Sequence, residues 1–283
     1  MVNITKILCP VDFSDTSNQA LAQALVIAGW YGATVTVLHV IPDGNVMQTI
    51  ERRRREDELA GLTAGVPDVA VTVLFEAGQV VATIVDCAAN LDADLIVIGS
   101  HGTNGFERLL LGSVTDEVLR KAACPVLVVP PHANALSPLP FKHLLCPVDF
   151  SPASRTGLAL ACSMAQEADA DLTLLHVLDL PPENELITTG PFAYPECREH
   201  GERNAGIVLK GLIPSDLHTS HPPATLVTVG KPYREILRIA AEQSVDLIVS
   251  GVHGRHVLDL LIFGSTTNQV IRRSTCPVLS VRR

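Results

Sequence analysis

The sequence predicts two tandem α/β domains, each built on a parallel, doubly wound sheet. Three observations predict this class. The chain repeats itself: LCPVDFS stands at 8–14 and again at 145–151, and LHV at 38–40 and again at 175–177. Within each copy, short apolar runs alternate with helix-period stretches, the order expected of a parallel sheet with crossover helices. The runs themselves, such as VTVLHV and LIVIG, are nearly all apolar and rich in β-branched residues, as strands covered on both faces should be.

The later repeats fix the two copies against each other. DADLIVIGSHG (92–102) is echoed by SVDLIVSGVHG (244–254), LLLGSVT (109–115) by LIFGSTT (261–267), and ACPVLVV (123–129) by TCPVLSV (275–281). The early pairs are 137 residues apart and the later pairs 152, so the second copy carries 15 extra residues between His176 and Gly251. With a prior of about 150 residues per domain, 283 residues suit two domains. We place them at 1–130 and 142–283, joined by a linker at 131–141 whose prolines and small polar residues oppose a helix.

Each element of copy one follows in order. Residues 6–11 are an apolar strand ending at a proline-valine-aspartate turn. Residues 15–31 are a helix whose Ala20, Leu21, Ala24, Leu25 and Ala28 line one buried face. Strand 34–41 precedes helix 46–62, which carries the run ERRRRE (51–56). Its pairs Glu51–Arg55, Arg52–Glu56 and Arg54–Glu58, at i,i+4, predict a solvated helix face in place of an anion patch. Strand 69–76, helix 79–91 and strand 94–99 come next, then helix 113–122 and strand 125–130. Right-handed crossovers are expected throughout.

Composition removes several function classes. The net charge is −9 and the pI near 5.5, whereas nucleic-acid affinity draws largely on basic phosphate contacts, so no nucleic-acid partner is expected. No apolar run reaches 18 residues and the N-terminus has no basic-then-apolar leader, so neither a membrane partner nor secretion is expected, and the predicted location is cytoplasmic. Seven cysteines lie along the chain without a CxxC pair; Cys9, Cys124, Cys146 and Cys276 precede proline at the edges of apolar runs and read as reduced, buried thiols. No metal site is expected.

The chemistry concentrates at two places. Asp12 and Asp149 end the first strand of each copy, with Ser14 or Asp15 able to cap the following helix. Such an aspartate can serve only its own turn, accepting backbone N–H groups. It can also face the crevice of an open α/β sheet and accept hydrogen bonds from ribose hydroxyls or an adenine amine. The second place follows the fourth strand: Gly99-Ser100-His101-Gly102, nine residues, then Gly112-Ser113; and Gly251-Val252-His253-Gly254, nine residues, then Gly264-Ser265. The first glycines allow a sharp turn and close approach to a ligand. The final Gly-Ser opens a helix and offers N–H groups, a hydroxyl and a favourable dipole to phosphate. Ser113 is expected to act as N-cap too, with Asp116 completing a variant capping box.

The G-2x-G-9x-G-S spacing after a strand, with V-D ending the first strand, resembles the universal stress protein family, in its ATP-binding subclass and a tandem form. The resemblance spans nearly the whole chain outside the linker and the 15 extra residues. It implies five-stranded, Rossmann-like parallel sheets of order 3-2-1-4-5 and an internal pseudo-dimer, with a homodimer of the whole chain as a further option. It implies ATP, AMP or ADP as ligand, with magnesium only as the nucleotide carries it. Residue by residue, Asp12 and Asp149 would hold the adenosine beside the backbone of Pro10, Val11, Pro147 and Val148, and Val40 and Val177 would pack on the base. Gly99, His101, Gly102, Gly112, Ser113, Val114 and Thr115 would wrap ribose and phosphates. Gly251, His253, Gly254, Gly264, Ser265, Thr266 and Thr267 would do so in copy two. There TNGFERLLL becomes RHVLDLLIF, so Val257 replaces Gly105 and Leu260 replaces Arg108.

His101 and His253 read as hydrogen-bond donors in a phosphate loop, because no nucleophile stands with them in a recognised motif. No GxxxxGK[ST] and no carboxylate cluster supports phosphoryl transfer, so no catalytic residue is assigned and at most weak ATP hydrolysis is expected. The reading is a stress-linked, nucleotide-binding regulator. Its rivals are a slow ATPase or nucleotide hydrolase and an interaction scaffold with vestigial sites. The 15 extra residues, within 179–206, contain prolines 181, 182, 191 and 195 that exclude a continuous helix through the first half. They are expected to fold over or beside the second site.

Overall fold

The computed structural model describes residues 3–44, 49–63, 69–101, 111–131, 141–179, 194–252 and 264–282. In the first half these form β1 (Lys6–Pro10), α1 (Asp15–Tyr31), β2 (Thr34–Pro42), α2 (Thr49–Thr63), β3 (Val71–Gly78), α3 (Val80–Asn90), β4 (Leu95–Gly99), α4 (Ser113–Lys121) and β5 (Val126–Val129). The second half gives β6 (His143–Pro147), α5 (Pro152–Ala168), β7 (Asp171–Leu178), α6 (Tyr194–Lys210), β8 (Ala224–Val229), α7 (Pro232–Glu242), β9 (Leu247–Gly251), α8 (Ser265–Arg273) and β10 (Val278–Val281). Every predicted element of copy one is present, most bounds moving by one or two residues.

The strands join into one sheet of order β3-β2-β1-β4-β5-β10-β9-β6-β7-β8. Each half therefore has the 3-2-1-4-5 order with parallel neighbours, and the halves meet through the antiparallel pair β5–β10. In that pair Leu127 faces Leu279. The two leucines occupy equivalent places in the repeat, so an approximate twofold axis runs between them. Among the described residues, pairing β5 with β10 leaves β3 and β8 at the sheet edges, which limits the backbone offered to other chains.

Alternation along the strands sorts the core into two layers. Ile7, Cys9, Val35, Val37, Leu95 and Val97 pack against α1 and Leu59 of α2, while Leu8, Leu38, Ile96 and Ile98 pack against Ile84 of α3 and Val118 of α4. Residues of the second half belong to the same two layers. Cys9 and Cys146 lie within the first layer with no exposed surface, and burial pushes both thiols well above their ordinary range.

Two expectations need correction. The ERRRRE helix face is not simply solvated. Arg52 pairs with Glu56 and Arg55 with Glu58, but the Arg52 guanidinium also lies 5.1 Å from the Phe75 ring centre and that of Arg55 4.1 Å from Phe13. Aromatic faces attract cations, so α2 is fastened to the sheet by two arginines where its apolar content is poor. Ser113 is not the cap of α4. Gly112 occupies that position, Ser113 is the first helical residue, and Gly112 has no side chain to cap the helix. Asp116 instead pairs with Arg120 at 2.9 Å and accepts from Asn268 Nδ2 of α8 at 3.2 Å, so the expected capping box does not form.

In the insertion, α6 begins at Tyr194, after prolines 181, 182 and 191. Residues 180–193, where a cover for the second site was expected, lie outside the described residues, as do Gly102, Gly105, Arg108, His253, Gly254, Val257 and Leu260.

Candidate functional site

The strand order reverses direction at β1 and β4 in one half and at β6 and β9 in the other, which opens a crevice at the carboxyl ends of those strands. Both candidate constellations lie there. Val11 extends the β1 pairing beyond Pro10 by donating its N–H to Leu38 O at 2.8 Å, and Val148 does the same to Leu175 O at 2.8 Å. The turn begins at the next residue.

Asp12 Oδ1 accepts from the Ser14 N–H at 3.1 Å and from the Ser14 hydroxyl at 2.6 Å; Asp149 Oδ1 accepts from the Ser151 N–H at 2.9 Å. Ser14 and Ser151 then cap α1 and α5, accepting from the Ser17 and Ser154 N–H groups at 3.2 Å. One carboxylate oxygen thus serves its own turn in each half, the local role expected of such an aspartate. Between acid and cap, Phe13 and Phe150 adopt left-handed backbone, with φ of 62° and 66°. A bulky residue rarely takes that conformation, and a strained turn repeated in both halves needs surroundings that hold it.

The glycines divide by function. A Cβ on Gly99 would come within 3.0 Å of Thr16 O, and one on Gly251 within 2.6 Å of Ser154 N. These two glycines let α1 and α5 pass over the strand ends, a packing demand that the sequence reading did not foresee. Gly112 and Gly264 cap α4 and α8 with no side-chain hydrogen bond. The first N–H bonded back within α4 is that of Asp116, on Gly112 O at 2.9 Å; in α8 it is that of Asn268, on Gly264 O at 3.0 Å. The N–H groups of Ser113, Val114 and Thr115, and of Ser265, Thr266 and Thr267, precede them at the positive end of each helix dipole. Ser113 and Ser265 are exposed there.

Other expected site residues also serve the fold. The Thr115 hydroxyl is buried and donates to Gly99 O at 2.8 Å, and that of Thr267 donates to Gly251 O at 3.3 Å. Both clasp a helix to the strand before it, which leaves their backbone N–H for a ligand. Val40 is mostly core at 8% exposure, whereas Val177 is half-buried. His101 Nδ1 lies 2.8 Å from Ser100 Oγ, and its Nε2 has no partner among the described residues. A serine beside a histidine invites a nucleophile reading, but Ser100 is 1% exposed and its counterpart in the other half is Val252. Among the described residues no group of three or more metal-ligating side chains could hold a metal ion.

Sequence reasoning passed over one pair of residues here. His39 Nδ1 lies 2.8 Å from Val11 O, and His176 Nδ1 2.6 Å from Val148 O. The signal was available: LHV recurs at the same 137-residue spacing as LCPVDFS.

The profile of the universal stress protein family matches residues 3–130 and again 140–282. The chain belongs to the universal stress protein family. A Mycolicibacterium smegmatis universal stress protein is 28% identical over 98% of this chain and 96% of its own length. One from Mycobacterium tuberculosis is 29% identical over 68% of this chain, a match that spans 63% of that relative's length. The crystal structure of a universal stress protein from Archaeoglobus fulgidus superposes with a TM-score of 0.69 at 23% identity, covering 98% of both chains, and shares the tandem universal stress protein fold. No helix among the described residues is long and apolar enough to cross a membrane.

Proposed function

We propose that this universal stress protein binds one adenine nucleotide (ATP, ADP or AMP) in each half and acts as a nucleotide-responsive regulator in stress. The observation that carries the reading is duplicated: at each switch point, a glycine-capped helix start without a side-chain cap stands at the crevice that the aspartate of the first strand borders. N–H groups at a helix N-terminus suit phosphate, and the buried His101 Nε2, without a partner among the described residues, is a further polar group at this end of β4. Asp12 and Asp149 would accept from ribose hydroxyls or the adenine amine, with the backbone of Pro10, Val11, Pro147 and Val148 beside the base. Gly112 through Thr115, and Gly264 through Thr267, would receive the phosphates. Binding is the activity proposed.

The test is Ser113→Glu and Ser265→Glu. A carboxylate in the first helical turn favours the helix dipole, so both variants should fold at least as well as wild type. The same charge should repel phosphate. Titration calorimetry with ATP should show two sites for wild type and one for each variant. Two sites in either variant would refute the phosphate assignment; none in wild type would refute nucleotide binding.

A further inference from the structure

We infer that His39 and His176 are positioning residues: each holds the aspartate-bearing turn of its half in the left-handed conformation that presents Asp12 or Asp149 to the crevice. This rests on the adenine-nucleotide reading and extends it to residues that do not themselves receive ligand.

The argument begins with the acceptor. A backbone carbonyl can only accept, so the 2.8 Å contact of His39 Nδ1 to Val11 O and the 2.6 Å contact of His176 Nδ1 to Val148 O fix a proton on Nδ1 in both rings. Val11 and Val148 already give their N–H groups to β2 and β7. With the imidazole attached, both backbone groups of the residue just before the aspartate are tied to the neighbouring strand. The peptide plane entering the turn is therefore set by the second strand, not by α1 or α5.

The ring completes the clamp. His39 packs on Phe13 with ring centres 4.9 Å apart, and His176 stacks on Phe150 at 4.4 Å and 30°. Phe13 and Phe150 are the left-handed residues after each aspartate, so each histidine grips the strained turn on both sides of its acid. An apolar residue could supply the stack and a small amide the hydrogen bond, but histidine supplies both. In the first half Phe13 is also covered by Arg55, and His39 meets Phe75 edge-on at 5.9 Å. In the second half, the residue paired with His176 is Val227.

The two functions of the ring can be separated. Asparagine places an N–H near the Nδ1 position without the stack; phenylalanine keeps the stack without the N–H. His39→Phe and His176→Phe should each lower ATP affinity about tenfold at their own site and leave the other site unchanged, the scale of one hydrogen bond that orients a ligand group. His39→Asn and His176→Asn should recover part of it. The Cα and Hα shifts of Phe13 and Phe150, measured by NMR without nucleotide, should move away from left-handed values in the phenylalanine variants. That measurement separates the two ideas. If wild type binds no nucleotide yet the shifts move, the nucleotide reading fails and the clamp stands. If wild type binds and the phenylalanine variants bind as tightly with unmoved shifts, the clamp is overturned.

Discussion

Replacing Gly251 with alanine should destabilise the protein far more than replacing Gly99, although the two occupy the same place in the repeat. Neither glycine has positive φ, so the backbone itself would accept alanine. Only space decides. Carbon atoms pack best at about 3.5–4.0 Å. A Cβ on Gly99 would stand at 3.0 Å from Thr16 O and the Thr16 methyl, a shortfall that a shift of a few tenths of an ångström in α1 relieves. A Cβ on Gly251 would stand at 2.6 Å from Ser154 N and closer still to the carbonyl of Ala153, all of it backbone. The reason lies one turn along the helix. Where α1 has Ala20, α5 has Gly157, whose own Cβ would come within 3.1 Å of Gly251 N, so α5 settles more deeply on its strand. Gly→Ala at a compatible site stabilises by about 0.4–1 kcal/mol through the unfolded chain, while overpacking costs about 1–3 kcal/mol. For Gly99→Ala these nearly offset, giving a loss of about 1 kcal/mol or less. For Gly251→Ala the overpacking term dominates, and the loss should be about 3 kcal/mol. Urea denaturation of the two variants measures the difference. Equal midpoints, or a larger loss at Gly99, would refute the packing role assigned to these glycines.

Asp94 and Asp246, equivalent in the repeat, should respond oppositely to pH. Burial raises Asp94, but hydrogen bonds from the Thr5 N–H and hydroxyl and the Lys6 N–H outweigh it and hold the acid below its ordinary range; its stabilisation is present at neutral pH and is lost as pH falls through that lowered value. Burial of Asp246 outweighs its bonds from the Lys142 and His143 N–H groups and raises it, so its contribution is greatest in acid and is lost as pH rises through the raised value. Asp94→Asn should therefore cost about 1 kcal/mol at pH 7, and Asp246→Asn little or nothing; denaturation from pH 4 to 8 reads both, and the same response from the pair would refute the assignment. Asn268→Asp should place a second carboxylate against Asp116 and cost about 0.5–1 kcal/mol at low salt, relieved by added salt. A salt-independent effect would mean that the contact is not electrostatic.

The fold was readable because its signals are local and doubled. Strands such as LIVIG are apolar throughout, and helix 15–31 shows its buried face residue by residue. The repeat then fixed the register between the halves. What could not be read depends on the distance between segments far apart in the chain. Nothing in ERRRRE announces that Phe13 and Phe75 lie beneath two of its arginines. The glycines after the fourth strand stand out in the sequence, but ligand approach and helix approach both demand a missing side chain, and the closeness of α1 and α5 shows only in the structure. Ser113 is a good capping residue by type, yet the chain enters α4 one residue earlier. That the Thr115 hydroxyl donates to Gly99 O could not be read, because the two residues lie 16 apart in the chain.

The Asp116–Asn268 contact has a meaning for kinship between chains. Two identical subunits meeting on a twofold axis must set each residue near that axis against its own copy, so an aspartate there faces an aspartate. Joining the copies in one polypeptide lifts that constraint, and this chain uses the freedom: one half carries an acid and the other an amide that donates to it. Tethering also raises the effective concentration of the second half to about the millimolar range, so a modest interface is enough to keep the pair together. Two first halves from different molecules would instead bring Asp116 against Asp116. Fusion and this unlike pair together favour each half's own sibling over a second copy of itself.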